Sequence, residues 1–202
     1  MLKLLGYDNY GAFRQALKAA VDKYSFYNRI IPKKAAADEA SIAAYVAAQT
    51  DTCTDLLKRD ISDHPLAEMA RRVAGKEQVF FFFPYRSSAV NSFQQNLAMT
   101  GIETCAVCLF PEMQESAEMT GRGTLVFCSV IEHSETMDMT PVFETLHKNK
   151  AEVCLFGSPD SYYADCADML LCTKESTGVL SGFLRVDLYL FALSETFRAL
   201  YL

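Results

Sequence analysis

Hydroxyl and charged side chains gather in two short stretches, Phe83-Pro84-Tyr85-Arg86-Ser87-Ser88 and Ser129-Val130-Ile131-Glu132-His133-Ser134-Glu135-Thr136. Each follows a run of apolar β-formers and leads into a helical pattern. Backbone N–H groups of a helix N-terminus and side-chain hydroxyls would therefore face outward together, which is how a helix end holds an anion. Two such loops on neighbouring strands suit a phosphate or a phosphorylated sugar, with Arg86, Ser87, Ser88, Ser129, Ser134 and Thr136 as the ligand contacts. Ser and Thr are also preferred N-caps, so helix capping is the competing reading for each loop. Arg86 likewise has two readings, a charge-assisted contact to the anion or an ion pair with Glu132 or Glu135. Glu132 and His133 are the loop residues able to do acid–base work, since aldose–ketose isomerisation of a sugar phosphate moves a proton between adjacent carbons. Two residues do not complete a catalytic site, and the expectation is binding without catalysis.

Other chemistry-bearing residues read as structural. Cys105 and Cys108 fall in an apolar strand candidate, where residues three apart point to opposite faces, and no second cysteine pair stands at metal spacing. Core packing is expected for both, and neither a metal nor a cofactor is implied. His64 precedes Pro65 in a helix-start turn and His147 sits near a helix C-terminus, where partial positive charge is favourable. Seven cysteines, an odd number scattered through apolar segments, suit reduced thiols and a cytoplasmic location better than a disulfide framework. The chain carries 19 Lys+Arg against 25 Asp+Glu, a net charge of −6 that repels nucleic acid. The phenylalanines from Phe80 to Phe83 have no basic neighbours of the kind a base-stacking platform requires. No signal peptide is expected at the N-terminus, and no apolar run approaches the ~20 residues of a membrane span.

Periodicity supplies the elements that would position these loops. Phe13, Leu17, Val21 and Tyr24 lie on one stripe of a helix from Tyr10 to Tyr27. Asp38 is the expected N-cap of a long Ala-rich helix reaching Arg59, whose apolar stripe (Ile42, Tyr45, Val46, Cys53, Leu56, Leu57) is incomplete. Pro65 opens a third helix, which Gly75 is expected to close in the left-handed conformation. Five near-continuous apolar runs then follow: Val79 to Phe83, Glu103 to Cys108, Thr124 to Val130, Glu152 to Gly157 and Asp168 to Cys172. Runs of that kind predict strands buried on both faces of a parallel sheet. Helical patterns at Ser88 to Thr100 and Met139 to Asn149 alternate with them, and an almost wholly apolar segment closes the chain from Gly178 to Leu202. The alternation predicts an α/β fold, a three-layer α/β/α sandwich on a five-stranded parallel sheet. The closing helix is expected to pack on the sheet with one face and on a second subunit with another.

From about Asp63 onward the chain resembles the sugar isomerase (SIS) domain in its RpiR-type regulator version. That family's first loop reads Gly-x-Gly-x-Ser or Gly-x-Gly-Ser-Ser; Pro84-Tyr85-Arg86-Ser87-Ser88 keeps both serines and replaces both glycines, by Pro84 and Arg86. The second loop reads Ser-x-Ser-Gly-x-Thr, and His133-Ser134-Glu135-Thr136 keeps the Thr, with Ser129 as the first serine only across a two-residue insertion. Ala167-Asp168-Met169-Leu170-Leu171 and Gly157-Ser158 match further family positions. Leu5-Gly6-Tyr7-Asp8-Asn9-Tyr10-Gly11-Ala12-Phe13 resembles the segment joining the regulators' helix-turn-helix domain to the sugar domain. The resemblance implies residues 1–62 as an N-terminal helical extension and 63–202 as a flavodoxin-like SIS domain. It also implies a sugar-phosphate effector, a homo-oligomer (dimer or tetramer), and no direct DNA contact from this chain, which would begin after the DNA-reading helices. An aldose–ketose phosphosugar isomerase is the alternative, and a degenerate domain kept for oligomerisation is the second.

Overall fold

The computed structural model describes residues 10–14, 38–129, 138–157, 159, 161–172 and 179–202. Five strands, β1 (Gln78–Phe82), β2 (Glu103–Val107), β3 (Thr124–Ser129), β4 (Glu152–Phe156) and β5 (Met169–Leu171), form one parallel sheet in the order β2-β1-β3-β4-β5. The helices are α1 (Glu39–Asp63), α2 (Leu66–Ala74), α3 (Ser88–Met99), α4 (Phe110–Glu118), α5 (Thr140–Asn149) and α6 (Val179–Tyr201). Of the helix expected from Tyr10 to Tyr27, residues 10–14 are described and are helical.

Strand pleating sorts the core into two layers. Phe81 and Phe83, with Leu125, Phe127, Cys154 and Phe156, face α2, α3 and α6. Phe80 and Phe82, with Val126, Cys128, Val153 and Leu155, face α4 and α5. β1, β3 and β4 are therefore apolar on both sides, as a central parallel strand requires. β2 departs from that expectation. It lies at the sheet edge with Glu103 and Ala106 exposed, because nothing in the described chain covers its outer side. The edge position leaves the cysteine pair only partly buried, with Cys105 still packed against the α4/α5 layer. Cys105 is half-buried, and Cys108 lies beyond the strand with its thiol 3.5 Å from the Tyr85 carbonyl.

Several local signals read as expected and others did not. Asp38 caps α1, accepting the Ser41 amide at 2.7 Å, and the helix runs one turn past Arg59 to Asp63. Gly75 closes α2 with φ −82°, so the left-handed expectation is corrected. The turn after α3 is the one that needs glycine, since Gly101 has φ +82°. α4 has no counterpart among the sequence-derived helices. Its opening Pro111 at the first turn was the available signal, and with only Met113 and Ala117 as buried apolar residues its stripe is too short to stand out. Cys172 falls just past β5 at φ +56°, an uncommon conformation for a residue with a Cβ.

The incomplete stripe of α1 has a physical explanation. Its buried face is Gln49, Cys53, Leu56 and Asp60, at helical spacing, with polar residues at both ends. Asp60 forms a two-pronged ion pair with Arg185 of α6, both side chains almost fully removed from solvent. One turn on, Tyr189 donates its hydroxyl to the His64 carbonyl at 3.1 Å. Asn96 of α3 donates to both the backbone carbonyl and the hydroxyl of Ser194 in the same layer. The C-terminal helix is thus clamped by polar contacts inside an apolar layer. Removing one member of a buried pair leaves an uncompensated charge, so Asp60→Ala should cost about 3–5 kcal/mol in a urea melt. The double variant Asp60→Leu with Arg185→Met should recover part of that loss. Equal or greater destabilisation in the double variant would show that the pair stabilises beyond removing its own charges.

Candidate functional site

In a sheet ordered 2-1-3-4-5 the chain leaves β1 for one side and β3 for the other, so the crevice beyond their carboxyl ends is where ligands bind. The Phe83–Ser88 loop and the end of β3 meet there. Ser87 is the N-cap of α3. Its Oγ accepts the Val90 amide at 3.2 Å and its side chain is buried. Ser88 begins the helix and is exposed, and helix geometry leaves the Ser88 and Ala89 amides without intrahelical acceptors. Arg86 is exposed, and among the described residues no carboxylate lies in ion-pair range of it. Ser129 closes β3 and is buried. Glu132, His133, Ser134 and Thr136, with Glu135, lie outside the described residues, as does Ser158.

The loop borders a cleft on one side and polar side chains on the other. On its β2 side is a cleft of about 450 Å³ lined by Arg86, Asn91, Gln94, Cys108 and Glu112 over a floor that includes Phe81 and Val107. Burial pushes the Cys108 thiol up; Arg86 pulls it down, and Glu112 adds to the rise. Arg86 thus stands over the edge-strand cleft as well as at the helix end.

On its β3 side the loop covers a polar nest. The Tyr85 ring packs edge-on against Phe183 of α6, with ring centres 4.6 Å apart, and against Phe83 at 5.7 Å. Phe183 and Asp187 are one turn apart on α6, so the Asp187 carboxylate shares the face that meets Tyr85. Burial pushes the Tyr85 phenol well up and Asp187 adds to the rise, while the neighbouring Ser129 hydroxyl opposes it. Burial also raises the Asp187 carboxyl, and the Ser87 hydroxyl beside it partly offsets that. Ser129 follows Cys128 in the pleat, so its side chain joins Phe127 on the α6 side of the sheet. Tyr85 Oη, Ser129 Oγ and Asp187 Oδ1 are each buried with no hydrogen-bond partner among the described residues; the remaining such atom is Gln49 Oε1, on α1. A buried polar atom left unpaired costs about 1–3 kcal/mol. Among the described residues three of the four orphans gather around this loop, a place kept polar at the expense of stability.

Asp187 and Tyr85 were absent from the sequence-derived site. An aspartate inside an otherwise apolar helix was the signal for the first. Nothing in the sequence brings that helix to the β1 loop. His64 and His147 sit in structural places: the His64 carbonyl accepts from Tyr189, and His147 Nε2 lies 2.9 Å from the Cys166 carbonyl. Among the described residues no three His, Cys, Asp or Glu side chains gather as a metal site, and no helix is long and apolar enough to cross a membrane.

No family model and no curated relative matches this chain. Its structure is similar to the Vibrio vulnificus NanR protein complexed with ManNAc-6P, at TM-score 0.59 and 15% identity, covering 99% of this chain and 72% of that one. Phosphoheptose isomerase GmhA from Neisseria gonorrhoeae aligns at TM-score 0.61 and 12% identity over 80% of this chain and 99% of that one. The C-terminal domain of glucosamine-fructose-6-phosphate aminotransferase from Francisella tularensis aligns at TM-score 0.51 and 12% identity, over 79% and 47% of the respective chains. At such identities the likeness speaks for the fold, a flavodoxin-like sandwich on a five-stranded parallel sheet.

The raised Asp187 carboxyl yields a prediction with a definite sign. Its folded pKa lies above the unfolded one, so its contribution to stability is fully present below the unfolded value, near 3.8, and is lost as pH rises through the folded value. Asp187→Asn should therefore raise Tm at pH 7 and leave it unchanged near pH 3.5. A thermal melt at both pH values checks this, and an Asn variant less stable at pH 7 would contradict it.

Proposed function

We propose that this SIS-type domain binds a sugar phosphate as an effector, in the manner of the ligand domain of an RpiR-type transcriptional regulator, and that it works in the cytoplasm as a homo-oligomer. The observation that carries this reading is the open N-terminus of α3 at the β1/β3 switch point, with Ser88 exposed and Arg86 free of carboxylates among the described residues. A phosphate there would meet the unpaired amides of the first turn, the Ser88 hydroxyl and the Arg86 guanidinium. That guanidinium would replace the backbone N–H that Pro84 lacks. Ser134 and Thr136 would close the phosphate from the second loop. The solved relatives support the ligand class, one being complexed with ManNAc-6P and another being a phosphoheptose isomerase. Residues 1–62 act in this reading as an N-terminal extension to the 63–202 domain.

Effector action needs two arrangements of the assembly with different affinity for the ligand. The outer face of α6 offers an apolar contact for a second copy, because Leu188 and Phe191 are exposed there, Phe191 by half. A second reading, a domain retained only for assembly, is favoured by one observation: Ser87 Oγ is already occupied by the Val90 amide.

A thermal-shift panel of sugar monophosphates, each matched to its free sugar and to inorganic phosphate, separates these readings. One sugar phosphate at about 100 times its Kd should stabilise by about 2.7 kcal/mol, a rise of roughly 5–10 °C for a chain of this size. The Ser88→Ala, Thr136→Ala double variant should lose most of that shift. Full retention would overturn the effector reading, and no shift with any compound would favour assembly alone. Phe191→Asp should move the size-exclusion peak toward the monomer while the circular dichroism spectrum stays unchanged; an unmoved peak would remove α6 from the interface.

A further inference from the structure

Three orphaned polar atoms, Tyr85 Oη, Ser129 Oγ and Asp187 Oδ1, lie around the Tyr85 loop beside the open end of α3. We propose that Asp187, Tyr85 and Ser129 form a separate subsite that recognises the hydroxyl groups of a carbohydrate, and so sets specificity for the neutral part of the ligand. This rests on the sugar-phosphate reading for what lies next to it, but its own support is independent. Ser129 Oγ, Tyr85 Oη and Asp187 Oδ1 are buried and unpaired among the described residues, and Ser129 is only 3% exposed. They converge because Ser129 and Phe127 share a sheet face, Tyr85 packs on Phe183, and Asp187 follows Phe183 by one helical turn.

The chemistry of the trio selects the occupant. An ionised carboxylate oxygen only accepts hydrogen bonds, whereas the two hydroxyls both donate and accept. A phosphate oxygen accepts only and would be repelled by Asp187. An ammonium donates only, so it could engage Asp187 and the hydroxyl lone pairs but could accept neither hydroxyl proton. A carbinol group does both, giving its proton to Asp187 while accepting from Tyr85 or Ser129, and adjacent hydroxyls on a sugar could engage all three. Ser87 links the two subsites, since its hydroxyl lies beside Asp187 while its residue caps the helix that would receive the phosphate.

Titration calorimetry on the full chain tests this with a panel of hexose and pentose monophosphates, the same sugars unphosphorylated, and inorganic phosphate. In Asp187→Asn and Ser129→Ala the best sugar phosphate should weaken at least tenfold, toward the Kd of inorganic phosphate, which itself stays unchanged. Tyr85→Phe, which removes one oxygen and keeps the ring on Phe183, should weaken the same compound about threefold to tenfold. The Asn variant is expected to be the more stable protein at neutral pH, so loss of binding cannot be put down to misfolding. Sugar-phosphate affinity within twofold of wild type in Asp187→Asn and Ser129→Ala would overturn the subsite and leave the sugar-phosphate reading standing. Binding of an unphosphorylated sugar that Asp187→Asn abolishes, with no gain from the phosphate, would support the subsite and overturn that reading. No binding by any compound would overturn both.

Discussion

The central strand β1 is the constraint on which the rest of this structure depends. It must be apolar on both faces, and its phenylalanines meet that demand in alternation, Phe81 toward α3 and α6 and Phe80 and Phe82 toward α4 and α5, with Phe83 continuing on the α6 side just beyond the strand. Phe81 stacks on Phe127, and Phe127 on Phe156, so three strands are joined ring to ring across the α6 face. That aromatic layer continues past the strand end through Phe83 to Tyr85 and Phe183. The loop bearing the candidate ligand contacts is therefore held by the same packing that holds the sheet. A change in β1 large enough to shift Phe83 would move Tyr85 with it.

Polarity within the α6 layer divides into two kinds. Asp60 with Arg185, and Asn96 with Ser194, are fully paired, and they fix α6 against α1 and α3. Two residues beyond Arg185, Asp187 is half-buried beside the Ser87 hydroxyl, and its buried Oδ1 has no partner among the described residues. One helix thus carries a fully paired charge that anchors it and a second charge with one oxygen left unpaired. A buried charge is tolerated when it is neutralised by geometry; unsatisfied buried groups persist where a ligand or water completes them. The anchor keeps the second group in place, because a rotation of α6 that hid Asp187 elsewhere would break the pair with Asp60.

Pro84 and Arg86 set how the Phe83–Ser88 loop could meet an anion. Proline deletes a donor and stiffens the chain, and the arginine side chain stands over a cleft shared with Glu112 and Cys108. Positive charge at the helix end would come from a long, movable side chain in place of close backbone contact. Such a site would trade geometric selectivity at a phosphate for charge, and discrimination would fall to whatever contacts the remainder of the ligand. In the proposed reading that is the work of the polar atoms around Tyr85.

The sequence by itself determined the parallel sandwich. Continuous apolar runs of strand length suit strands covered on both sides, and their alternation with helical stripes leaves few topologies. It also located the Phe83–Ser88 loop, since a loop that follows a buried strand and opens a helix must stand at the carboxyl edge of the sheet. It could not show that β2 lies at the edge, because an apolar run reads the same whether or not a helix covers it. α4 was missed because nine residues with two buried apolar side chains carry too little periodicity. Only the tertiary structure decided that the incomplete stripe of α1 is completed by Asp60, whose partner lies 125 residues away. In the same way it alone brought Asp187 to Tyr85 and Ser129. Local pattern reports how each segment buries its own apolar surface, but a polar residue's role depends on what faces it, and distant parts of the chain face each other only once the layers have packed.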